Sequence, residues 1–218
     1  MNMSQEITGV LLAGGKSRRM GRDKRTLVLG GETLLNRALN VLVDIFPEVL
    51  VVFGEDSFAI PNDRVRVVHD LIPNRAAAGG LYTGLSYSTH SKSFVVACDM
   101  PFLNPSAIKY LITLCEGFDI TSVQLSRGLQ TMHGIYSKSC LPFLQKMVKD
   151  ESLRLQELFS ESSLRLRQVP ESEMFPFDPQ LLSFMNLNSP ADLELARKVI
   201  ESSGSVSYTH LRAHETDS

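Results

Sequence analysis

Short apolar runs that alternate with helical patterns most constrain the fold of this chain. Such runs predict strands at residues 7–12, 49–53, 65–68, 94–97, 164–169 and 184–188, with weaker candidates at 120–123 and 133–136. Apolar residues at helical spacing predict helices at 33–46, 80–88, from 105, at 141–149, 153–159 and 190–201. This alternation predicts an α/β fold in three layers (α/β/α), Rossmann-like, with a mostly parallel sheet.

The loops that follow the parallel strands are expected to meet at one edge of that sheet. Right-handed crossovers place these loops together, and ligands of such folds bind beyond the carboxyl ends of the strands. We therefore expect the functional residues in three segments, at 13–26, 69–80 and 98–102.

The loop after the first strand combines glycines with positive charge. Gly14, Gly15 and Gly21 allow tight turns and close approach of a ligand to the backbone. Five cations follow within nine residues: Lys16, Arg18, Arg19, Arg22 and Lys24. The spacing matches neither a Walker P-loop nor the dinucleotide fingerprint. It predicts a phosphate-binding loop, with a solvated basic turn as the alternative.

Composition excludes several classes of function. The formal net charge is −2, so bulk charge favours neither nucleic acid nor a membrane surface as a partner. Three scattered cysteines support no disulfide framework or zinc ribbon and favour a reduced, cytoplasmic setting.

We expect a single domain at residues 1–204. Residues 205–218 resemble a translated sequencing adapter and are expected to be a non-native tail.

Two aspartates follow predicted strands. Asp99 lies beyond the run at 94–97, where a carboxylate beside a phosphate loop suits Mg²⁺, although it could instead cap the next helix. Asp70 follows the strand at 65–68 and could be a functional residue or a turn former.

Two asparagines and a histidine complete the candidates. Asn186 and Asn188 alternate along the predicted strand at 184–188, so both amides would share one face. A capping role before Pro190 would explain Asn188 alone. For His133 a packed or surface position is favoured over a general base. Cys98 is expected to be a buried core residue.

The first loop resembles that of a known enzyme family. The stretch from Leu12 to Lys24 follows the form L-A-G-G-x-S-x-R-M-G-x-D-K and is similar to that of molybdenum cofactor guanylyltransferases. Cytidylyltransferase relatives usually carry Ala where this chain has Gly15. Further blocks resemble the family at residues 69–70, 79–85, 98–103 and 184–193, so the resemblance covers roughly residues 5–200.

The resemblance implies a nucleotide-diphospho-sugar transferase type of fold and the transfer of GMP from GTP to molybdopterin, with or without bound molybdenum. It implies catalytic roles for Arg19, Lys24 and Asp99, with Mg²⁺ on Asp99. The other implied contacts are with nucleotide at Leu12, Ala13, Gly14, Gly15, Lys24, Asp70, Gly79 and Asp99, and with the pterin side at Asn186 and Asn188. An upstream molybdenum-insertion protein and downstream molybdoenzyme chaperones are further expected partners.

Two other functions remain open at this point. A cytidylyl- or other NTP transferase would share the fold, and a non-catalytic nucleotide-binding regulator would need neither Asp99 nor Lys24. The segment Ala76-Ala77-Ala78 also differs from the Gly-Pro-Leu that relatives commonly carry. We expect this segment to be a more flexible loop near the base, with looser discrimination between nucleotides.

Overall fold

The computed structural model describes residues 6–14, 23–54, 56–150 and 153–212, with side chains described as far as residue 202. The strands are β1 (Ile7–Leu12), β2 (Val28–Leu29), β3 (Glu32–Thr33), β4 (Glu48–Phe53), β5 (Val65–His69), β6 (Lys92–Ala97), β7 (Ile120–Leu125), β8 (Gly128–Ser137) and β9 (Leu166–Pro170). The α-helices are α1 (Leu34–Ile45), α2 (Ala76–Tyr87), α3 (Pro105–Thr113), α4 (Leu141–Lys149) and α5 (Pro190–Arg212).

Seven of these strands form one sheet in the order β5-β4-β1-β6-β8-β7-β9. Only β8 runs against its neighbours, since it pairs antiparallel with β6 and β7 while the other pairs are parallel. The prediction of a mostly parallel sheet is therefore confirmed. A separate hairpin of β2 and β3 lies before α1.

Helices cover both faces of the sheet, which gives the predicted three layers. Alternate residues of β1 enter different cores: Ile7 and Leu11 pack on the face covered by α1 and α3, whereas Val10 and Leu12 pack under α2 and α4. Helix α2 lies especially close to β1, because a Cβ on Gly84 would come within 2.6 Å of Val10 Cγ1. A Cβ on Gly80 would likewise come within 3.3 Å of Leu12 Cδ2, so α2 lies along β1 as far as the end of the strand.

Capping residues set the starts of two helices as predicted. Thr33 Oγ1 accepts a hydrogen bond from the Asn36 N–H at the start of α1. Asn104 Oδ1 accepts from the N–H groups of Ser106 and Ala107 at the start of α3. Both are the side-chain acceptors that helix N-termini require. No helix in the described part of the chain is long and apolar enough to cross a membrane.

Several predicted elements are wrong in type or extent. The strand predicted at 184–188 is absent: Leu182–Phe184 is a 3₁₀ turn, and residues 185–188 have no regular structure. The helix predicted at 153–159 is a 3₁₀ helix at Leu155–Ser160. Helix α2 begins at Ala76 rather than at Gly80, and α5 continues to Arg212 rather than ending at Glu201.

Candidate active site

A cleft of about 710 Å³ opens at the edge of the sheet where the parallel strands end. The loops after β1, β4, β5 and β6, the first turn of α2 and the segment before α5 all contribute to its walls. The predicted site residues that line it are Leu12, Ala13, Gly14, Asp70, Asp99, Asn186 and Asn188. The expected meeting of the strand-end loops is therefore confirmed.

The end of β1 is anchored on both sides before the glycine-rich loop begins. The Ala13 N–H donates to Val52 O at 2.9 Å, and Leu12 O accepts from the Cys98 N–H at 3.0 Å. Leu12 and Ala13 are buried while Gly14 is exposed in the cleft. Residues 15–22 of this loop, including Gly15, Arg19 and the other cations that precede Lys24, lie outside the described residues.

Lys24 joins three distant parts of the chain. Its Nζ donates to Asp99 Oδ2 at 2.8 Å and to Asn188 Oδ1 at 3.0 Å. The Lys24 and Asp99 side chains are 17% and 20% exposed, so the ion pair is partly shielded from water. The Leu187 N–H donates to Asp99 O at 2.9 Å, which ties the backbone of the asparagine segment to the same point.

The donor set at Asp99 fits Mg²⁺ only together with a phosphate ligand. No group of three or more His, Cys, Asp or Glu side chains that could hold a metal is found among the described residues. In proteins Mg²⁺ commonly binds through one or two carboxylates together with substrate phosphates and water. Asp99 can supply that carboxylate, although its Oδ2 already accepts a hydrogen bond from Lys24 Nζ.

Asp70 has a structural role that the sequence left open. Its Oδ1 accepts from Thr83 Oγ1 at 2.9 Å and from the Ile72 N–H at 3.2 Å, so it forms a turn against α2. Gly79 lies behind this turn rather than in the lining of the cleft, and a Cβ there would meet Ile72 O at 3.0 Å and Asp70 Oδ2 at 3.2 Å. Glycine at 79 therefore allows the Asp70 turn to approach α2.

The Ala76-Ala77-Ala78 segment is not the flexible loop that we expected. All three residues belong to the first turn of α2, and Ala76 and Ala77 line the cleft. Ala76 has a φ of +48° and Asn74 a φ of +63°, in the left-handed region that costs most residues about 1–2 kcal/mol. A glycine at position 76 would adopt this conformation without strain.

Asn186 and Asn188 do reach the cleft, although without the strand that was predicted to align them. Leu187 between them is fully buried, in a small cluster with Leu29, Leu34 and Ala196, and this anchors the segment. Asn188 contacts Lys24. Asn186 Oδ1 is buried and has no hydrogen-bond partner among the described residues. An unsatisfied buried acceptor is costly, so a ligand is expected to complete it.

Sequence reasoning missed Arg25, which also lines the cleft. Its guanidinium carbon lies 5.3 Å from the Phe53 ring centroid and 5.8 Å from that of Phe58. It also pairs with the Asp23 carboxylate at 2.6 Å, and these hydrogen bonds hold the pKa of that carboxyl below its usual value. The sequence shows Arg25 only as one more cation, because the aromatic partner at 53 ends a different strand.

His133 and Cys98 are core residues, as the favoured predictions had them. The His133 ring is fully buried between Phe94 and Phe184, with centroid distances of 5.0 and 4.7 Å. Burial lowers its pKa to about 4, because the imidazolium would lose its hydration. Burial raises the pKa of the Cys98 thiol to about 12, so this thiol stays protonated and unreactive.

Known proteins resemble this chain over nearly its whole length. The probable molybdenum cofactor guanylyltransferase of Pelotomaculum thermopropionicum is 32% identical over 198 residues, which are 91% of this chain and 95% of the relative. The solved molybdopterin-guanine dinucleotide biosynthesis protein A of Archaeoglobus fulgidus has a TM-score of 0.75 at 21% identity, covering 90% of this chain and 100% of that one.

The fold alone is shared with enzymes for other nucleotides. The 2-C-methyl-D-erythritol 4-phosphate cytidylyltransferase of Thermus thermophilus has a TM-score of 0.65 at 14% identity, covering 89% of this chain and 98% of that one. The fold is thus of the nucleotide-diphospho-sugar transferase type. A family model described as the MobA-like NTP transferase domain matches residues 9–166. Because that match spans most of the chain, this protein belongs to the MobA-like NTP transferase family.

Proposed function

We propose that this protein is a Mg²⁺-dependent molybdenum cofactor guanylyltransferase. It transfers GMP from GTP to the terminal phosphate of molybdopterin, with or without bound molybdenum, giving molybdopterin guanine dinucleotide and pyrophosphate. The observation that carries the proposal is the contact of Lys24 with both Asp99 and Asn188, at the edge where the strand-end loops meet. The names of its relatives support guanine and molybdopterin as the substrates.

The reaction needs no general base from the protein. The acceptor is a phosphate monoester whose oxygen is already anionic near neutral pH. That oxygen forms a bond to the α-phosphorus of GTP, while the bond between this phosphorus and the α–β bridging oxygen breaks and pyrophosphate leaves. The task of the protein is therefore to position two anions and to offset their charge.

The residues at the base of the cleft suit that task. Lys24 carries a positive charge that can move from Asp99 onto incoming phosphates, since its ammonium group is mounted on a flexible stem. The backbone at Gly14 is exposed where a phosphate chain would lie, and Arg19 is proposed to act on the same charges. Mg²⁺, held by Asp99 and the substrate phosphates, would polarise the α-phosphate when bound.

The base is proposed to lie against the first turn of α2. Ala76, Ala77 and Gly80 line the cleft there, opposite the ends of β4 and β5. Gly15 supports guanine over cytosine as the base, because the loop that contains it resembles the corresponding loop of guanylyltransferases. We further propose that the enzyme works in the cytoplasm, between a molybdenum-insertion protein and the chaperones of molybdoenzymes.

Direct assay of the four nucleotides tests this function. The protein is incubated with molybdopterin, Mg²⁺ and each labelled NTP in turn, and the product is identified by mass. We expect molybdopterin guanine dinucleotide and pyrophosphate from GTP alone, with no product when a chelator removes Mg²⁺. A cytosine dinucleotide would favour the cytidylyltransferase alternative, and tight GTP binding without product would favour the regulator.

A further inference from the structure

The two ends of the glycine-rich loop both lie against the segment that follows β4, made up of Gly54 and residues 56–58. Where the loop leaves β1, a Cβ on Gly14 would come within 3.2 Å of Gly54 N. Where the chain returns to the sheet, Arg25 Nη1 donates to Asp56 O at 2.7 Å. The loop therefore begins and ends at the same place, and Arg25 makes the contact at its returning end.

The guanidinium group of Arg25 is already occupied by the protein. Its Nε and Nη2 donate to Asp23 Oδ2 at 2.9 and 2.6 Å. Its central carbon lies over the rings of Phe53 and Phe58, and the side chain is only 18% exposed. Each of its three nitrogens thus donates a hydrogen bond, and the Asp23 carboxylate offsets its charge. A cation held in this way suits the joining of two segments better than the binding of a phosphate.

The segment that follows β4 is itself fixed to the neighbouring strand. His69 is the last residue of β5, and its Nδ1 donates to Gly54 O at 3.2 Å. Its Nε2 lies 3.3 Å from Ser57 Oγ. Arg25 therefore contacts a part of the chain that the sheet holds in place.

Arg25 and Lys24 reach to opposite sides of β1. In the sheet, β4 and β6 flank β1. Arg25 contacts the segment that follows β4, whereas Lys24 donates to Asp99, which lies beyond β6. The two residues are consecutive in the 3₁₀ turn Lys24–Thr26, which Asp23 caps. Because they share this short turn, fixing Arg25 on one side of β1 fixes the point from which the Lys24 side chain extends on the other.

We propose that Arg25 is a positioning residue that acts through Lys24. It fastens the returning end of the glycine-rich loop, so that the Lys24 ammonium lies within reach of both Asp99 and the phosphate chain of a nucleotide. The ammonium can still move on its stem, because only the backbone is held. A loop whose ends are already fixed also loses less conformational entropy when it binds a ligand. The effect on nucleotide binding rests on the proposed function, whereas the positioning of Lys24 does not.

The positioning of Lys24 can be measured without a nucleotide. Arg25→Gln removes the cation, and Arg165→Gln is the matched control, because Arg165 pairs with Asp119 beside β9 and does not line the cleft. Each protein is treated with an amine-acetylating reagent, and the rate at Lys24 is followed by mass spectrometry. We expect Arg25→Gln to raise this rate about fivefold, because the ion pair with Asp99 opens more often, and the control to leave it unchanged.

A milder variant keeps this test decisive if Arg25→Gln lowers stability. Phe58→Leu removes a half-exposed ring from the contact with Arg25, and it should raise the acetylation rate of Lys24 by a smaller factor. The melting temperature of every variant is measured alongside. A rate at Lys24 equal to that of wild type in both variants would overturn the proposal.

A double-mutant cycle tests whether Arg25 acts on nucleotide binding through Lys24. Calorimetry gives the Kd for GTP with Mg²⁺ in wild type, Arg25→Gln, Lys24→Ala and the double variant. We expect Arg25→Gln to weaken GTP binding about tenfold in the wild-type background and hardly at all in the Lys24→Ala background. Losses that multiply would show direct contact of Arg25 with the nucleotide, and a lower melting temperature with an unchanged Kd would show a purely structural role. Either result would overturn the proposal.

The two measurements also separate this proposal from the proposed function. Faster acetylation of Lys24 in Arg25→Gln, together with a wild-type protein that forms no dinucleotide from GTP and molybdopterin, would overturn the proposed function alone. Formation of the dinucleotide with unchanged acetylation of Lys24 in the variants would overturn the positioning role alone.

Discussion

The two ends of the cleft differ in the kind of groups they present. At the nucleotide end, which we propose lies beside α2, the walls include backbone and small side chains, such as those of Gly14, Ala76 and Gly80. At the acceptor end, which we propose lies beside the segment before α5, the walls include polar side chains, such as those of Asn186 and Asn188. Ligand contacts made by the backbone depend on the φ and ψ angles of the chain. Ligand contacts made by side chains depend on individual groups that a substitution can remove. We therefore expect substitutions to change the backbone conformation at the nucleotide end and the affinity for ligand at the acceptor end.

Asp99 joins the two ends, so its loss should be the most damaging change. Asp99→Ala is expected to lower kcat by about 10²–10³-fold, because the enzyme loses a group that helps to stabilise charge in the transition state. The melting temperature should stay near that of wild type, since Asp99 lies in the cleft rather than in the core. The measurement is steady-state turnover over a range of Mg²⁺ concentrations, with Asp99→Asn as the isosteric control. Activity within a few-fold of wild type at limiting Mg²⁺ would contradict the role of Asp99.

The acceptor end should also be the acid-sensitive one, because His133 packs on Phe184, just before the asparagine segment. The pKa of His133 is about 4 in the folded chain and about 6.5 when exposed, so the folded state binds fewer protons between these values. Stability present above pH 6.5 is thus lost as the pH falls towards 4, by about 3 kcal/mol in total. Chemical unfolding at stepped pH measures this loss. His133→Leu should flatten the profile, and an equal slope in both proteins would show that His133 does not cause it.

Lys24 should discriminate between phosphate chains rather than between bases. Lys24→Ala is expected to weaken GTP binding about 10–100-fold, because it removes a charge-assisted contact, and to weaken GMP binding much less. Calorimetry with both nucleotides measures the difference, and Lys24→Arg shows whether charge alone suffices. An equal loss for GTP and GMP would mean that Lys24 does not contact the phosphates beyond the first.

The smallest effect tests the backbone character of the nucleotide end. Ala76→Gly should stabilise the protein by about 1 kcal/mol, because glycine adopts the φ of +48° without a clash of its Cβ. That gain corresponds to a rise in melting temperature of about 2–4 °C. Ala77→Gly is the control, since Ala77 has no positive φ and should only lose stability. A lower melting temperature for Ala76→Gly would show that the first turn of α2 is unstrained.

The sequence predicted the parts of this protein that depend on local patterns. Buried strands, the caps Thr33 and Asn104, and the loops after β1 and β6 could be located because apolar periodicity and capping act over a few residues. The sequence placed Lys24 in a phosphate-binding loop and Asp99 beyond a predicted strand, but it did not predict that the two side chains pair. Their contact at 2.8 Å spans 75 positions of the chain and depends on how β1 and β6 pair.

Only the tertiary structure determined the conformation of the segment before α5. Alternating asparagines predicted a strand at 184–188, but β6 is already flanked by β1 and β8, so no free edge remains beside Asp99. The segment makes a single backbone hydrogen bond there, from Leu187 to Asp99 O, and is held by burial of Leu187. Likewise, only the tertiary structure showed that α2 starts at Ala76 and that the turn around Asp70 packs against Gly79. Pairing and close packing involve residues far apart in the chain, which is why local sequence patterns determined the elements and the tertiary structure determined their contacts.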